Sequence, residues 1–290
     1  PPRAHVVAMT GARGGLGTST FLLHLARACN ARGLAVALID ADPAGGLGLL
    51  MGDAVLPGLR WADLPAEESA FRPERLITAL PSWLGMPVLT GDGRGGARNP
   101  QQLQPVLQAL RAQHDLVLID LPRGVLPPAG ATVMLVSGLD LRSAVAAEAL
   151  AARFRSSTAP GALMPGLSTS PGLSTPPGQS SGALAVDSPD SMPGRPVSPT
   201  TVLTVVRKIG EDVTPDELAL MTRTEVIAVI PHERAVAQRI ARGDDPTRGR
   251  GSMRNEARAV ADRLAAALEA SGTPQTRETR APAGRPAGGA

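Results

Sequence analysis

The 290-residue chain has one cysteine, one lysine and no tyrosine. A lone Cys29 excludes a disulfide framework, a multi-thiolate zinc site and a Cys-ligated iron–sulfur cluster within one chain. With three Phe and two Trp, the core must be aliphatic. No apolar run approaches the roughly 18 residues of a membrane helix, and no signal peptide is legible, so the expected setting is cytoplasmic. The chain opens on Pro1-Pro2-Arg3, as expected of a fragment lacking an upstream segment.

The scarcity of lysine changes the meaning of the charge. Of 29 basic residues only Lys208 is lysine, and the formal net charge is only +3 against a pI near 10.2. Few groups titrate between neutrality and pH 10, so the high pI reports missing buffering groups rather than a nucleic-acid partner.

Short apolar runs alternate with helical spacing. His5 to Thr10, Ala35 to Asp40, Asp115 to Asp120, Ala131 to Ser137, Val202 to Val206 and Val226 to Ile230 read as buried strands. Ser19 to Arg32, Pro100 to His114 and Leu141 to Phe154 read as helices, with Ala257, Val260, Ala261, Leu264 and Leu268 marking a last one expected to dock on the sheet. This order predicts an α/β fold, a mostly parallel sheet covered by helices on both faces. It forms one domain from residues 1–155 and 200–270. Residues 156–199 break the pattern: nine Pro, six Gly and ten Ser among 44 residues predict a disordered insertion. The segment 271–290 reads as a disordered tail.

The chemistry concentrates at the first strand-to-helix junction, Arg13-Gly14-Gly15-Leu16-Gly17-Thr18-Ser19-Thr20. Glycines let backbone amides curl round an anion, and the helix N-terminus adds partial positive charge, so a nucleotide phosphate is the expected occupant. The pattern GxxxxGK[ST] is not met: Ala12 replaces its first glycine and Thr18 its lysine, while Ser19 keeps the Mg²⁺-ligand place.

This loop resembles the deviant Walker A motif of the MinD/ParA ATPases, with Arg13 at that family's signature lysine. The supporting segments are Leu38-Ile-Asp-Ala-Asp-Pro-Ala-Gly-Gly-Leu-Gly48, Pro57-Gly-Leu-Arg-Trp-Ala-Asp-Leu64, Asp115-Leu-Val-Leu-Ile-Asp-Leu-Pro-Arg123 and Val229-Ile-Pro-His-Glu233. Within the superfamily they are most similar to the CpaE-like (TadZ-like) branch and its actinobacterial septum-site-determining relatives. The resemblance implies a P-loop NTPase fold binding ATP and Mg²⁺. Gly14, Gly15, Leu16, Gly17, Thr18, Ser19 and Thr20 would wrap the phosphates. Ser19, Asp40 and Asp120 would hold the metal. Asp42 would orient the attacking water, and Arg13 would supply charge. Arg207 and Pro231 would border the base, Arg207 near the place of an adenine-reading Asn.

The resemblance also implies a nucleotide-dependent homodimer that positions a Tad/Flp pilus or secretion apparatus, or influences septum siting, and is recruited by partners to the membrane or a pole. With no lysine in the loop, slow or absent hydrolysis is expected. An active DNA-segregation ATPase, a pseudo-ATPase scaffold without nucleotide and a metabolic P-loop ligase are the competing readings. Nucleic acid is not an expected partner, because acids interleave with the arginines at 242, 248, 250 and 254. Cys29 is expected to pack. The four histidines have no metal spacing, and Trp61 and Trp83 belong to the core or a dimer surface.

Overall fold

The computed structural model describes residues 4–51, 57–65, 68–97, 102–156 and 200–270. The insertion and tail expected at 156–199 and 271–290 lie outside these residues, apart from Ser156, which ends a helix.

Among the described residues eight strands form one sheet: β1 (His5–Gly11), β2 (Val36–Asp40), β3 (Ser82–Trp83), β4 (Met86–Leu89), β5 (Leu116–Asp120), β6 (Thr132–Gly138), β7 (Val202–Arg207) and β8 (Glu225–Ile230). Their order is β3-β4-β2-β5-β1-β6-β7-β8, parallel throughout except for the β3–β4 hairpin. Helices α1 (Thr18–Ala31), α2 (Leu47–Leu50), α3 (Pro73–Ala79), α4 (Leu103–Arg111), α5 (Leu141–Ser156), α6 (Pro215–Thr222), α7 (Arg234–Ala241) and α8 (Ser252–Ala270) complete it.

The strands are apolar on both faces because both faces are covered. Along β1, Val7 and Met9 enter the larger core with α1, α5 and α8, whereas Val6 and Ala8 enter a second core with α3 and α4. Phe21, Leu22, Leu25 and Cys29 of α1 are fully buried, so the helix behind the glycine loop is fixed by packing. Gly33, at φ 83°, ends it, with its N–H donating to the Asn30 carbonyl. The apolar stripe of α8 lies along α1 and against β8 rather than on the sheet alone.

Candidate functional site

The carboxyl ends of β1, β2, β5, β6, β7 and β8 share one rim, and every expected site residue lies there, on the loops that follow or in the first turn of α1. In open parallel sheets the crevice beyond these ends is where ligands bind.

The loop after β1 opens outward. Gly15 and Gly17 both sit at φ 78°, a conformation that costs glycine nothing sterically. Leu16 between them turns into the core, 1% exposed. No atom lies within 4 Å of a Cβ built on Gly14, Gly15 or Gly17, so the cradle faces open space. Gly17 caps α1 with no side-chain hydrogen bond, and the first-turn N–H groups of such a helix are donors ready for an anion. The residues thus fit a phosphate through backbone and dipole.

The cationic complement is arranged differently. Thr18 opens α1 with its hydroxyl over β1, where a Cβ on Gly11 would come within 2.8 Å of it. Arg13 turns aside: its Nη2 donates to the Asp140 carboxylate at 2.9 Å and its Nε to the Ser143 hydroxyl at 2.6 Å. Asp140 in turn accepts from the Ser143 N–H and hydroxyl at 3.1 and 2.7 Å. Against a desolvation that works the other way, these Ser143 and Arg13 bonds hold the Asp140 carboxyl down at about pH 2. Asp140 and Ser143 were not singled out from the sequence. Their signal is an acid just before a helix with serine three residues on, a capping pattern.

Three carboxylates, Asp40, Asp42 and Asp120, lie at or just beyond the ends of β2 and β5. Asp120 ends β5 and accepts a hydrogen bond from Ser19. Burial, and then the charges of Asp40 and Asp42, push its pKa up to about 7 despite that bond. A carboxylate so desolvated beside like charges suits a divalent cation, which would relieve both costs. Among the described residues no group of three or more His, Cys, Asp and Glu is gathered as a metal cage. The pair Ser19 and Asp120 fits Mg²⁺, which keeps waters and shares its shell with phosphates rather than filling an all-protein site.

Asp40 has a different employment. It is 1% exposed, and its two oxygens accept from the Asp42 N–H at 3.1 Å, the Leu47 N–H at 3.0 Å and the Thr90 hydroxyl at 2.9 Å. Burial raises its pKa, opposed by these bonds. Its carbonyl accepts from Trp61 Nε1 at 2.6 Å. Asp40 therefore anchors the loop that carries Asp42, while Asp42 itself is half-buried and accepts from the Ala44 N–H at 2.9 Å. Thr90 and the indole of Trp61 were missed as site-supporting groups, since nothing in the local sequence joins them to residue 40.

Arg207 ends β7, two strands from β1, an offset of about 10 Å. It meets Pro231, donating from Nη1 to that carbonyl at 2.7 Å, with Nη2 3.4 Å from His232 Nδ1. It is buried to 8% exposure and its Nε lacks a partner. Burial lowers its pKa, with Glu233 opposing.

Residues 4–160 match the family described as "Cellulose biosynthesis protein BcsQ". The chain belongs to the BcsQ family. Among curated proteins, Rv3660c of Mycobacterium tuberculosis, itself uncharacterised, is 37% identical over 153 residues, which is 50% of this chain and 43% of that protein. The BcsQ-family chain thus spans less than half the length of the curated relatives it matches.

Solved structures share its fold at low identity. A ParA family ATPase from Chlorobium tepidum superposes with a TM-score of 0.66 at 13% identity, over 91% of this chain and all of that one. The cell division ATPase MinD of Pyrococcus furiosus gives 0.63 at 15%, over 91% and 99%. The septum site-determining protein MinD of Pyrococcus horikoshii, solved with Mg-ADP, gives 0.62 at 17%, over 91% and 98%. The BcsQ-family chain therefore has the MinD/ParA P-loop ATPase fold. Among its described residues no helix is long and apolar enough to cross a membrane.

Proposed function

We propose that this chain is a nucleotide-responsive positioning protein of the CpaE-like kind, which binds ATP with Mg²⁺ and hydrolyses it weakly or not at all. The observation that carries the reading is the open glycine cradle at the head of α1, with Ser19 bonded to Asp120 below it and no lysine inside it. In this reading the N–H groups from Gly14 to Thr20 hold the phosphates, Ser19 and Asp120 hold the metal, and Asp42 orients water. Asp40 acts through the Asp42 loop. Arg207 and Pro231 border the base. When bound, Mg²⁺ neutralises phosphate charge.

The magnitudes favour binding over turnover. A helix N-terminus contributes about 0.3–1 kcal/mol toward an anion, and up to about 2 in partly buried geometry. A charged hydrogen bond of the kind a lysine makes contributes about 1.5–3 kcal/mol, and phosphoryl transfer depends on such positioned charge. Thr18 offers a neutral hydroxyl there, and Arg13 is committed to Asp140. Nucleotide state then serves to change shape and partners rather than to release energy quickly. The partners are a second copy of the chain and components of a pilus, secretion or septum-placing apparatus. The cellulose biosynthesis for which the BcsQ family is named adds another envelope-associated machine to that class.

Calorimetry with Mg-ATP, paired with a phosphate-release assay, tests this. Expected are measurable binding, turnover far below that of lysine-bearing relatives, and roughly tenfold or more tighter binding in Thr18→Lys. No binding in either form overturns the reading in favour of a nucleotide-free scaffold. Brisk turnover abolished by Asp42→Ala overturns it in favour of an active ATPase.

A further inference from the structure

The stretch Gly91-Asp92-Gly93-Arg94-Gly95-Gly96 follows β4 and has no place in the site as the sequence outlines it. In the fold it lies directly behind the loop that carries Asp42. A Cβ on Gly96 would overlap the Asp42 carbonyl oxygen and lie 3.1 Å from the carbonyl carbon. The Gly96 N–H donates to the Pro43 carbonyl at 2.8 Å. One step along, a Cβ on Gly45 would touch the Gly91 Cα at 3.4 Å, so the two loops meet backbone to backbone at two points. Gly96 is not in the left-handed region, so what its position demands is the absence of a side chain rather than an unusual backbone.

The glycine loop is itself held from both ends. Asp92 and Gly95 exchange backbone bonds of 3.3 and 2.8 Å. Arg94 then donates from Nη1 to Asp63 at 2.6 Å and from Nη2 to Asp92 at 2.6 Å, tying the loop to the turn at Trp61–Asp63. That turn carries the Trp61 indole that bonds the Asp40 carbonyl. The Asp42 backbone is thereby held at its N–H by Asp40 and at its carbonyl by the close approach of Gly96.

We propose that the loop 91–96 is the backstop that sets where Asp42 stands, with Gly96 as its positioning residue and Arg94 as its clamp. The inference rests on the reading above of Asp42, and adds that Asp42 would also bond a water of the Mg²⁺ shell, so that its placement counts in the Mg²⁺-dependent part of the affinity. A methyl group at residue 96 displaces the Asp42 backbone without touching the phosphate cradle, which is built from residues 14–20 on the far side of β2 and β5.

The test measures affinity for the non-hydrolysable ATP analogue AMPPNP with and without Mg²⁺, by calorimetry, in the full chain. Gly96→Ala is expected to leave metal-free affinity unchanged and to lose about tenfold of the Mg²⁺-dependent gain, the usual scale for a group that orients a ligand of a metal. In an Asp42→Ala background the same substitution is expected to change nothing, because its effect runs through Asp42. If Gly96→Ala does not fold, Arg94→Gln carries the test, with a smaller loss of the same gain. A wild-type chain with no Mg²⁺-dependent gain sinks the metal site, and a gain that Asp42→Ala alone leaves intact sinks the reading of Asp42 itself. A wild-type gain that survives intact in Gly96→Ala, or in its stand-in, overturns the backstop alone, as does an equal loss in the Asp42→Ala background.

Discussion

Arg13 donates to Asp140 across 127 residues of sequence, with its guanidinium Nη2 2.9 Å from the carboxylate, and so turns away from the loop it belongs to. The pair is partly exposed, with side chains 38% and 22% accessible, and an ion pair of that exposure contributes little to stability. Its consequence lies in where it keeps the charge.

Removing Asp140 should therefore help the ligand. We expect Asp140→Ala to bind Mg-ATP several-fold more tightly than wild type, since it frees Arg13, and that gain to vanish in the Arg13→Ala/Asp140→Ala double variant. Titration calorimetry on the two variants checks this; a gain that persists without Arg13 would show that Arg13 does not compete between Asp140 and phosphate.

The raised Asp120 pKa gives a pH dependence of defined sign. The folded state holds this proton up to about pH 7, whereas an ordinary carboxyl releases it near 3.8. Stability from that proton is present in full below pH 3.8 and is lost as pH rises through 7. In metal-free protein, Asp120→Asn should raise the Tm at pH 8 and leave it nearly unchanged at pH 4. With Mg-nucleotide added, the wild type should gain stability that the variant does not. A metal-free Tm difference independent of pH would contradict the assignment.

His24 works in the opposite sense. It is 5% exposed on the inner side of α1, and burial lowers its pKa from 6.5 to about 4, with Asp245 opposing and Arg254 and Arg27 adding to the drop. Because the folded state refuses this proton, stability is full above pH 6.5 and is lost as pH falls through 4. At pH 4.5 the loss is about 2–3 kcal/mol. Urea unfolding at pH 7 and pH 4.5 should show that loss in wild type and a correspondingly smaller one in His24→Leu. Equal losses would remove His24 from the acid response.

The absence of tyrosine makes the two tryptophans the main source of intrinsic fluorescence. Trp61 bonds the carbonyl of Asp40, while Trp83 packs at the sheet edge in β3. A fluorescence change on adding Mg-ATP is expected to vanish in Trp61→Phe and to survive in Trp83→Phe. The reverse pattern would place the response at the sheet edge.

How much of this was legible follows from length and continuity. Six strands announce themselves as apolar runs, and their observed bounds agree to within a residue or two. The β3–β4 hairpin does not: Ser82–Trp83 is two residues long and Met86–Leu89 contains a proline, so neither shows a strand period. The four-residue α2 is equally silent. The glycine cradle and the acids at 40, 42 and 120 could be read because each sits at or just beyond a strand end. The partners of those residues could not, because Thr90, Trp61, Asp140 and Gly96 reach them only through the fold. The Asp40 side chain shows the same limit, for the residue types at a strand end do not tell a ligand from an anchor.

Asp40 gathers amides from residues 42 and 47, a hydroxyl from residue 90 and an indole from residue 61 onto one carboxylate and one carbonyl. Segments that are strangers in sequence are thus knotted at a single point beneath the Asp42 loop. To swing that loop open, the protein must break several buried bonds together, so the loop cannot flicker on its own and belongs to the same cooperative unit as the strand that bears it. Any rearrangement that moves Asp42 must then also disturb Trp61 and Thr90, which ties the turn at residues 61–63 and the end of β4 to what happens at the rim.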